Sequence, residues 1–527
     1  MKRTVFRTAC RRAAGVTAAL AAVMAVTTAC AGHGHGSPAA STRLAAVTRR
    51  PSVPVSVLAG PSDAVSAGVA ARLFAAAPVV VLADPDGKAD LSAAAASARR
   101  LHAPLLLTSP EAGGTVRTAA QSGAAEAGPQ VAVGAAVRAE IDALGPRAVL
   151  AVGPARTAVA AQLPGIPVVT RLARLPRFTV AAPLPGVVLL TRDGAQDAGD
   201  QAAVATAEAA GAAVISVHGY DPRADTTAIS ALSGARPQHV IAVGGRFGPV
   251  PRLAARLAVA ETGVQLPGGG QVLFPEHRLV ALYGYPGTPG LGALGEQGLA
   301  ASIARVRRLA APYRPLSKVP VVPAFEILAT VAQDSPGPQG TYSYESPITA
   351  LRPWVLRATA DGLYVVLDLQ PGRASLLAQA KHYQSLLRLP DVGLALDPEW
   401  KLQPGQLPLH QIGSVSIAEV NGVSAWLAAL TARYHLPQKL LVLHQFRLSM
   451  IVGEQALDTR HDDLAIVIHM DGQGTPSDKL QTWDAVTGAA PRGVFFGWKN
   501  FFVKDHPMLT PGQTMANRPQ PLMISYE

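Results

Sequence analysis

The chain has 527 residues, 49% of them hydrophobic, and a mean hydropathy of +0.23, which excludes global disorder and calls for more than one ordinary domain. Its two cysteines, Cys10 and Cys30, fall within the first thirty positions, which excludes a disulfide framework or a Cys-ligated metal site in the remainder. The formal net charge is +11, but without the five basic residues of the first twelve positions it falls to +6 with no Lys/Arg run, so nucleic acid is not an expected partner.

In chain order, Lys2, Arg3, Arg7, Arg11 and Arg12 precede the apolar run Ala13 to Val26 and the small-residue end Thr27-Thr28-Ala29-Cys30. This layout reads as an export signal over residues 1–29. The run of about 14 apolar residues is too short to span a bilayer comfortably, and no later stretch is long enough. The cysteine placed after Thr-Ala resembles the lipobox of bacterial lipoproteins. That resemblance implies acylation of Cys30 and a lipid anchor on the extracytoplasmic face of the membrane; an ordinary secretory signal is the alternative. Residues 30–52 read as a tether rich in small residues, with His33 and His35 as linker rather than metal ligands.

Residues 53–267 carry an internal repeat. Pro78-Val-Val-Val-Leu-Ala-Asp-Pro-Asp-Gly87, an Ala-rich segment and Ala103-Pro-Leu-Leu-Leu-Thr-Ser109 are echoed by Gly186-Val-Val-Leu-Leu-Thr-Arg-Asp-Gly194, a second Ala-rich segment and Ala212-Ala-Val-Ile-Ser-Val217. Each copy ends in a further turn, at Gly153-Pro154 and at Gly244-Gly245. The Asp86/Asp193 offset is 107 and the Gly153/Gly244 offset is 91, which puts about sixteen extra residues in the first copy, within Glu111 to Gln130. Short β-branched apolar runs alternating with helical segments predict parallel α/β units covered on both faces. The glycine turns lack a complete Gly-x-Gly-x-x-Gly or a Walker lysine and read as tight turns rather than a phosphate cradle.

Through Leu58-Ala-Gly60, Ala89-Asp-Leu-Ser-Ala93, Ala103-Pro-Leu-Leu-Leu-Thr108 and the Leu144-Gly-Pro to Ala151-Val-Gly153 turn, residues 53 to 260 resemble the cell wall-binding repeat 2 family. The resemblance implies three-layer α/β modules that hold surface proteins on envelope polymers.

All five tryptophans lie beyond residue 350, and Pro267-Gly-Gly-Gly-Gln271 breaks both periodicities, so a second unit is expected over residues 268–527. Eight apolar runs follow: Leu279 to Tyr285, Val321 to Thr330, Leu363 to Leu369, Val392 to Leu396, Leu440 to Phe446, Leu464 to Met470, Gly493 to Gly497 and Pro521 to Tyr526. Helical segments at Leu291 to Leu309, Ile348 to Ala360, Ala374 to Leu389, Ile417 to Tyr434 and Ser477 to Val486 separate most of them. The fold class is therefore α/β, a duplicated three-layer parallel module followed by a (β/α)8 barrel, with an open sheet as runner-up. The segment Gln333 to Ser346, with Tyr342 and Tyr344, reads either as a loop that closes over the site or as plain linker.

Barrel chemistry gathers at the C-terminal ends of the strands, where Tyr283, Tyr285, Glu326, Asp368, Asp397, Glu399, His444, His469, Asp471, Trp498, Lys499 and Glu527 fall. In Leu394-Ala-Leu-Asp-Pro-Glu-Trp400, extended backbone through Pro398 puts Asp397 and Glu399 on one face, with Glu399 as general acid and Asp397 raising its proton affinity or positioning it. Glu326, Asp368 and Asp471 are candidates for the second carboxylate across a glycosidic bond. Trp400 and Trp498 offer flat faces to sugar rings, and Tyr285, His444, His469 and Lys499 complete the expected binding set. The Asp-x-Glu at a fourth strand looks like glycoside-hydrolase barrels in general, which implies hydrolysis of cell-wall polysaccharide or peptidoglycan. No cofactor and no metal are expected, since His-x-His and His-Glu-x-x-His spacings are missing from this half. The alternative is a non-catalytic envelope scaffold with a degenerate barrel, marked by dispersed or salt-bridged carboxylates.

Overall fold

The computed structural model describes residues 44–110, 131–153, 156–194 and 197–527. The export signal, Cys30 and the stretch 111–130 assigned to the extra residues of the first repeat lie outside the described residues. Among the described residues, no helix is long and apolar enough to cross a membrane.

The repeat folds as two four-stranded parallel sheets. One runs in the order Leu105–Leu107, Val79–Ala83, Ala148–Val152, Val168–Val169, and the other Ala213–Val217, Val187–Arg192, His239–Val243, Val55–Leu58. The edge strands are exchanged. Val55–Leu58, which precedes the first copy, completes the second sheet, and Val168–Val169, which precedes the second copy, completes the first. Helices Ser62–Leu73 and Lys88–Leu101 of the first copy both pack on Ala198–Ala209 of the second. Their contacts use small side chains such as Ala67, Ala70, Ala94, Ala202 and Ala203, which let helix axes approach closely. A Cβ at Gly199 would already lie 3.0 Å from Ser62 Cα.

The second unit is a closed barrel of eight parallel strands: Arg278–Gly284 (β1), Val321–Ala332 (β2), Tyr364–Leu369 (β3), Val392–Leu396 (β4), Lys439–Gln445 (β5), Leu464–Met470 (β6), Phe495–Asn500 (β7) and Met523–Tyr526 (β8). Pairing runs in sequence order, and β8 pairs with β1 to close the cylinder. Both strand faces are buried, which is why the runs are continuously apolar rather than alternating. Phe325, Ile327, Val365, Leu367, Leu441 and Leu443 face the helical layer, while Leu279, Ala281, Ala324, Tyr364, Val366 and Val442 fill the barrel interior. Tyr364 reaches across that interior to accept a hydrogen bond from Leu440 N at 3.1 Å. Gly393 makes room for it, because a Cβ there would sit 3.0 Å from the Tyr364 hydroxyl and 2.8 Å from Leu440 O.

Two expected helices are shorter than their sequence pattern. The first starts at Leu299 rather than Leu291, after 3-10 turns in which Gly292 adopts φ +97 and a Cβ at Gly295 would meet Tyr285 O at 2.3 Å. The segment Ala374 to Leu389 breaks into Leu376–His382 and Gln384–Leu387 around Tyr383, whose buried hydroxyl donates to Ala329 O (2.7 Å) or Ser346 O (3.0 Å). The segment 333–346 is anchored at its far end by a short return strand. Ser343–Glu345 pairs antiparallel with the extended end of β2, Arg373 lies over the Tyr342 ring at 4.4 Å, and Ser343 Oγ donates to Gln370 O at 2.7 Å.

The repeat module meets the barrel at the N-terminal ends of its strands. Asp462, just before β6, accepts from Arg223 (2.8 Å) and from Arg256 (2.6 and 2.8 Å), and both arginines also pair with Asp221. Gln438, before β5, donates its backbone N–H to Gln271 O, and Gln271 N donates to Arg223 O. The opposite pole of the barrel is left open.

Candidate active site

Side chains alternate across a strand, so each barrel strand has one inward position near its C-terminal end. These positions hold Tyr283 on β1, Glu326 on β2, Asp368 on β3, His444 on β5, His469 on β6, Lys499 on β7 and Ser525 on β8. Asp397, Asp471 and Glu527 stand one residue beyond β4, β6 and β8. Register keeps them level, with Tyr283 opposite Glu326, His444 opposite His469 and Lys499 opposite Ser525. Below this layer the interior is apolar.

His444 is the hub. Its Nε2 lies 2.9 Å from Glu326 Oε1 and its Nδ1 3.1 Å from Asp471 Oδ2, all buried. Burial alone would drive its pKa down, but the Glu326 and Asp471 carboxylates outweigh that and push it well up. His469 stacks on it with ring centroids 5.1 Å apart. Burial and the neighbouring His444 charge push His469 well down, and its Nε2 meets Ser525 Oγ at 3.0 Å. The two imidazoles are thus pushed in opposite directions, His444 toward its charged form and His469 toward its neutral one. Lys499 pairs with Glu527 at 2.7 Å and sits 3.6 Å from the centre of the Tyr283 ring.

Above this layer opens a cavity of about 170 Å³, whose wall includes Asp397, Glu399, Asp471 and Glu527. Tyr283, Trp400, Phe446 and Phe501 supply its flat faces, and Lys499 and Lys504 its cations. The carboxyls differ in proton affinity. Burial raises Glu399, and the Asp471 charge raises it further. Asp397 is pushed well up by burial and then by Asp368, and Asp368 itself rises to about 6, chiefly through burial. Asp471 goes the other way, because its bond to His444 and the charges of His444 and Lys499 overcome burial and hold it below the usual carboxylate range.

The Asp397/Glu399 pair shares the pocket, but not by the expected route. The strand ends at Leu396, and residues 398–400 form a 3-10 turn capped by Asp397, whose Oδ1 accepts from Glu399 N at 3.2 Å. Asp397 therefore orients Glu399 through its backbone, and the nearby charge that most raises Glu399 is Asp471. Glu326 and Asp368 lie beneath the pocket floor rather than in its wall.

The stacking role expected of Trp498 is corrected. β7 runs on to Asn500, so Lys499 points inward and Trp498 outward, buried against Trp483 (5.6 Å, edge-on) and donating to Asn500 Oδ1. Tyr285 is likewise outside the pocket wall, packed with Leu328 and Val331 near Ser346 Oγ. His444 and His469 act from below the floor and not as pocket walls. Pocket residues that sequence reasoning missed are Gln370, Phe446, Gln473, Phe501 and Lys504, all on connections past strand ends where no periodicity marks orientation.

Among the described residues, one group brings three potential metal donors within 4.8 Å of one another: Glu326, Asp368 and His444. Both Asp368 oxygens and Glu326 Oε2 find no hydrogen-bond partner among the described residues, while His444 Nε2 is already turned to Glu326. No family model, curated protein or solved structure matches the chain.

Proposed function

We propose that the barrel hydrolyses glycosidic bonds of a cell-wall polysaccharide or peptidoglycan by carboxylate acid/base catalysis, within a lipoprotein anchored to the cell envelope through Cys30. The observation that carries this reading is one aromatic-walled pocket holding two carboxyls whose surroundings drive their proton affinities apart, Glu399 up and Asp471 down. Glu399 is the general acid that protonates the leaving oxygen. Asp471, kept ionised by His444 and Lys499, is the carboxylate required on the other side of the bond. Asp397 positions Glu399, and Glu326 holds His444 against Asp471. Trp400 provides a face on which a sugar ring stacks, and Tyr283, its ring covered by Lys499, shapes the pocket floor. The resemblance of residues 53–260 to cell wall-binding repeats supports a retention role for the repeat module on the same polymer.

One observation favours a non-catalytic barrel: Glu527 is salt-bridged to Lys499 and Asp471 to His444. Against it, Glu399 has no ion-pair partner within 4 Å among the described residues, and it is the group that the acid step needs. The test is release of reducing ends from labelled wall glycans by the full chain, with Glu399→Gln and Asp471→Asn as variants. Each is expected to cut kcat by roughly 10²–10⁴; equal product from the parent and Glu399→Gln removes Glu399 as the acid.

A further inference from the structure

A second cavity of about 360 Å³ adjoins the first, and the two share Glu399 and Trp400. Its other walls come from the loop after the fourth strand, with Leu409, His410 and Ile412, and from Arg447 just past the fifth. The first cavity alone is smaller than the roughly 300–1,000 Å³ of typical small-molecule sites, and the second brings the cleft into that range. We infer that the substrate chain runs from the pocket across Trp400 into this second cavity, which takes the neighbouring sugar unit and selects one that carries a carboxylate.

The inference rests on the hydrolase reading and deepens it. A residue that walls both cavities stands at their junction, and a glycosidic bond spanning the junction presents its bridging oxygen to that residue, which here is the general acid. The two sides differ in charge. Asp397, Asp471 and Glu527 stand on the first side with Lys499 and Lys504, whereas in the wall of the second Glu399 is the one acid, with Arg447 and His410 beside it in the lining. Arg447 is exposed, lies 5.8 Å from the Phe446 ring centre, and has no acidic partner within 4 Å among the described residues. A planar guanidinium free of a protein carboxylate suits a bidentate hold on a carboxylate of the ligand.

The apolar wall supports the same occupant. Leu409 is 81% exposed and held at φ +65, a left-handed backbone that costs a leucine free energy, in a loop whose Gly413 N donates to Glu399 O at 2.7 Å. Together with Ile412 and Trp400 it gives this cavity an apolar part of its wall, the kind of surface that the C–H face of a pyranose covers.

The experiment separates binding from turnover. Peptidoglycan glycan strands freed of peptide, with lactyl carboxylates intact, are titrated calorimetrically into full-length Glu399→Gln protein, beside the same strands after carboxyl reduction. Native strands are expected to bind about tenfold more tightly than reduced ones, and adding Arg447→Ala should abolish that difference, with Arg447→Lys in between. Equal affinity for both strands, equal weakening of both by Arg447→Ala, or no binding at all overturns the inference. If these differences hold while the parent releases no reducing ends, the hydrolase reading fails and the subsite stands; if the parent cleaves but shows no charge preference, the hydrolase reading stands and the subsite fails.

Discussion

At the scale of single residues, the pocket separates two carboxyls by what surrounds them rather than by their chemistry. Glu399 keeps its proton above the ordinary carboxylate range because it is largely removed from water and faces Asp471. Asp471 loses its proton below that range because His444, itself pushed toward its charged form, is bonded to it at 3.1 Å. The sign of the pH dependence follows. Activity needs Glu399 protonated and Asp471 ionised, so kcat should rise through a limb below the usual carboxylate range and fall through one above it, giving a broad plateau between. Lys504 lines the pocket and is among the groups that lower Glu399, so Lys504→Ala should move the alkaline limb upward and leave the acid limb in place. Because Lys504 is solvent-exposed, the displacement should shrink as salt rises toward 1 M, where the screening length is about 3 Å. A pH profile of kcat with both limbs displaced equally, or with neither moved at low salt, counts against Glu399 as the proton donor.

At the scale of elements, the turn after β4 and the loop 401–414 act as one piece. Gly413 lies against the backbone that carries the acid, and a Cβ there would come within 2.3 Å of Lys401 O and 2.6 Å of Glu399 O. Gly413→Ala should therefore displace Glu399 and depress kcat on wall glycans by about tenfold or more, the kind of loss that misplacement by an ångström causes, and should also lower the thermal midpoint, because the clash is with backbone oxygens rather than a flexible side chain. A variant that keeps full kcat would show that Glu399 does not depend on this contact. The same elements show what the sequence made legible. The eight barrel strands stood out because strands buried on both faces must be apolar throughout, and their bounds differ from the runs by a few residues. The acids were legible because ionisable groups ending such runs are costly to bury without purpose. Orientation at a run's end was not: β7 runs three residues past Gly497, which leaves Trp498 on the outer face, while Lys499, expected beside it in the binding set, lines the pocket. The exchanged edge strands were equally hidden, since strands of four and two residues carry no mark of which sheet they join.

At the scale of the whole molecule, the repeat module and the barrel are joined at the pole away from the pocket, and the joint centres on Asp462. Arg223, with its side chain 3% exposed, and Arg256 converge on this one carboxylate, with Asp221 bridging both arginines from the other side. Removing Asp462, a third exposed, leaves two guanidinium groups at a partly buried joint with one acid between them, at a cost of about 1–3 kcal/mol. The five tryptophans lie in the barrel, so their fluorescence reports its unfolding alone, while far-ultraviolet dichroism reports both parts. In the parent the two melting curves should coincide; in Asp462→Ala they should separate, with the repeat module melting on its own. The arginines hold Asp462 below its ordinary value, so its contribution is fully present above the unfolded carboxyl pKa of about 3.9 and is lost as pH falls through the lower folded value. The gap between parent and variant should therefore stay constant from pH 8 to about 5 and close only in stronger acid. Curves that still coincide in Asp462→Ala would mean that the apolar and backbone contacts of the joint, not this charge cluster, make the two parts unfold together.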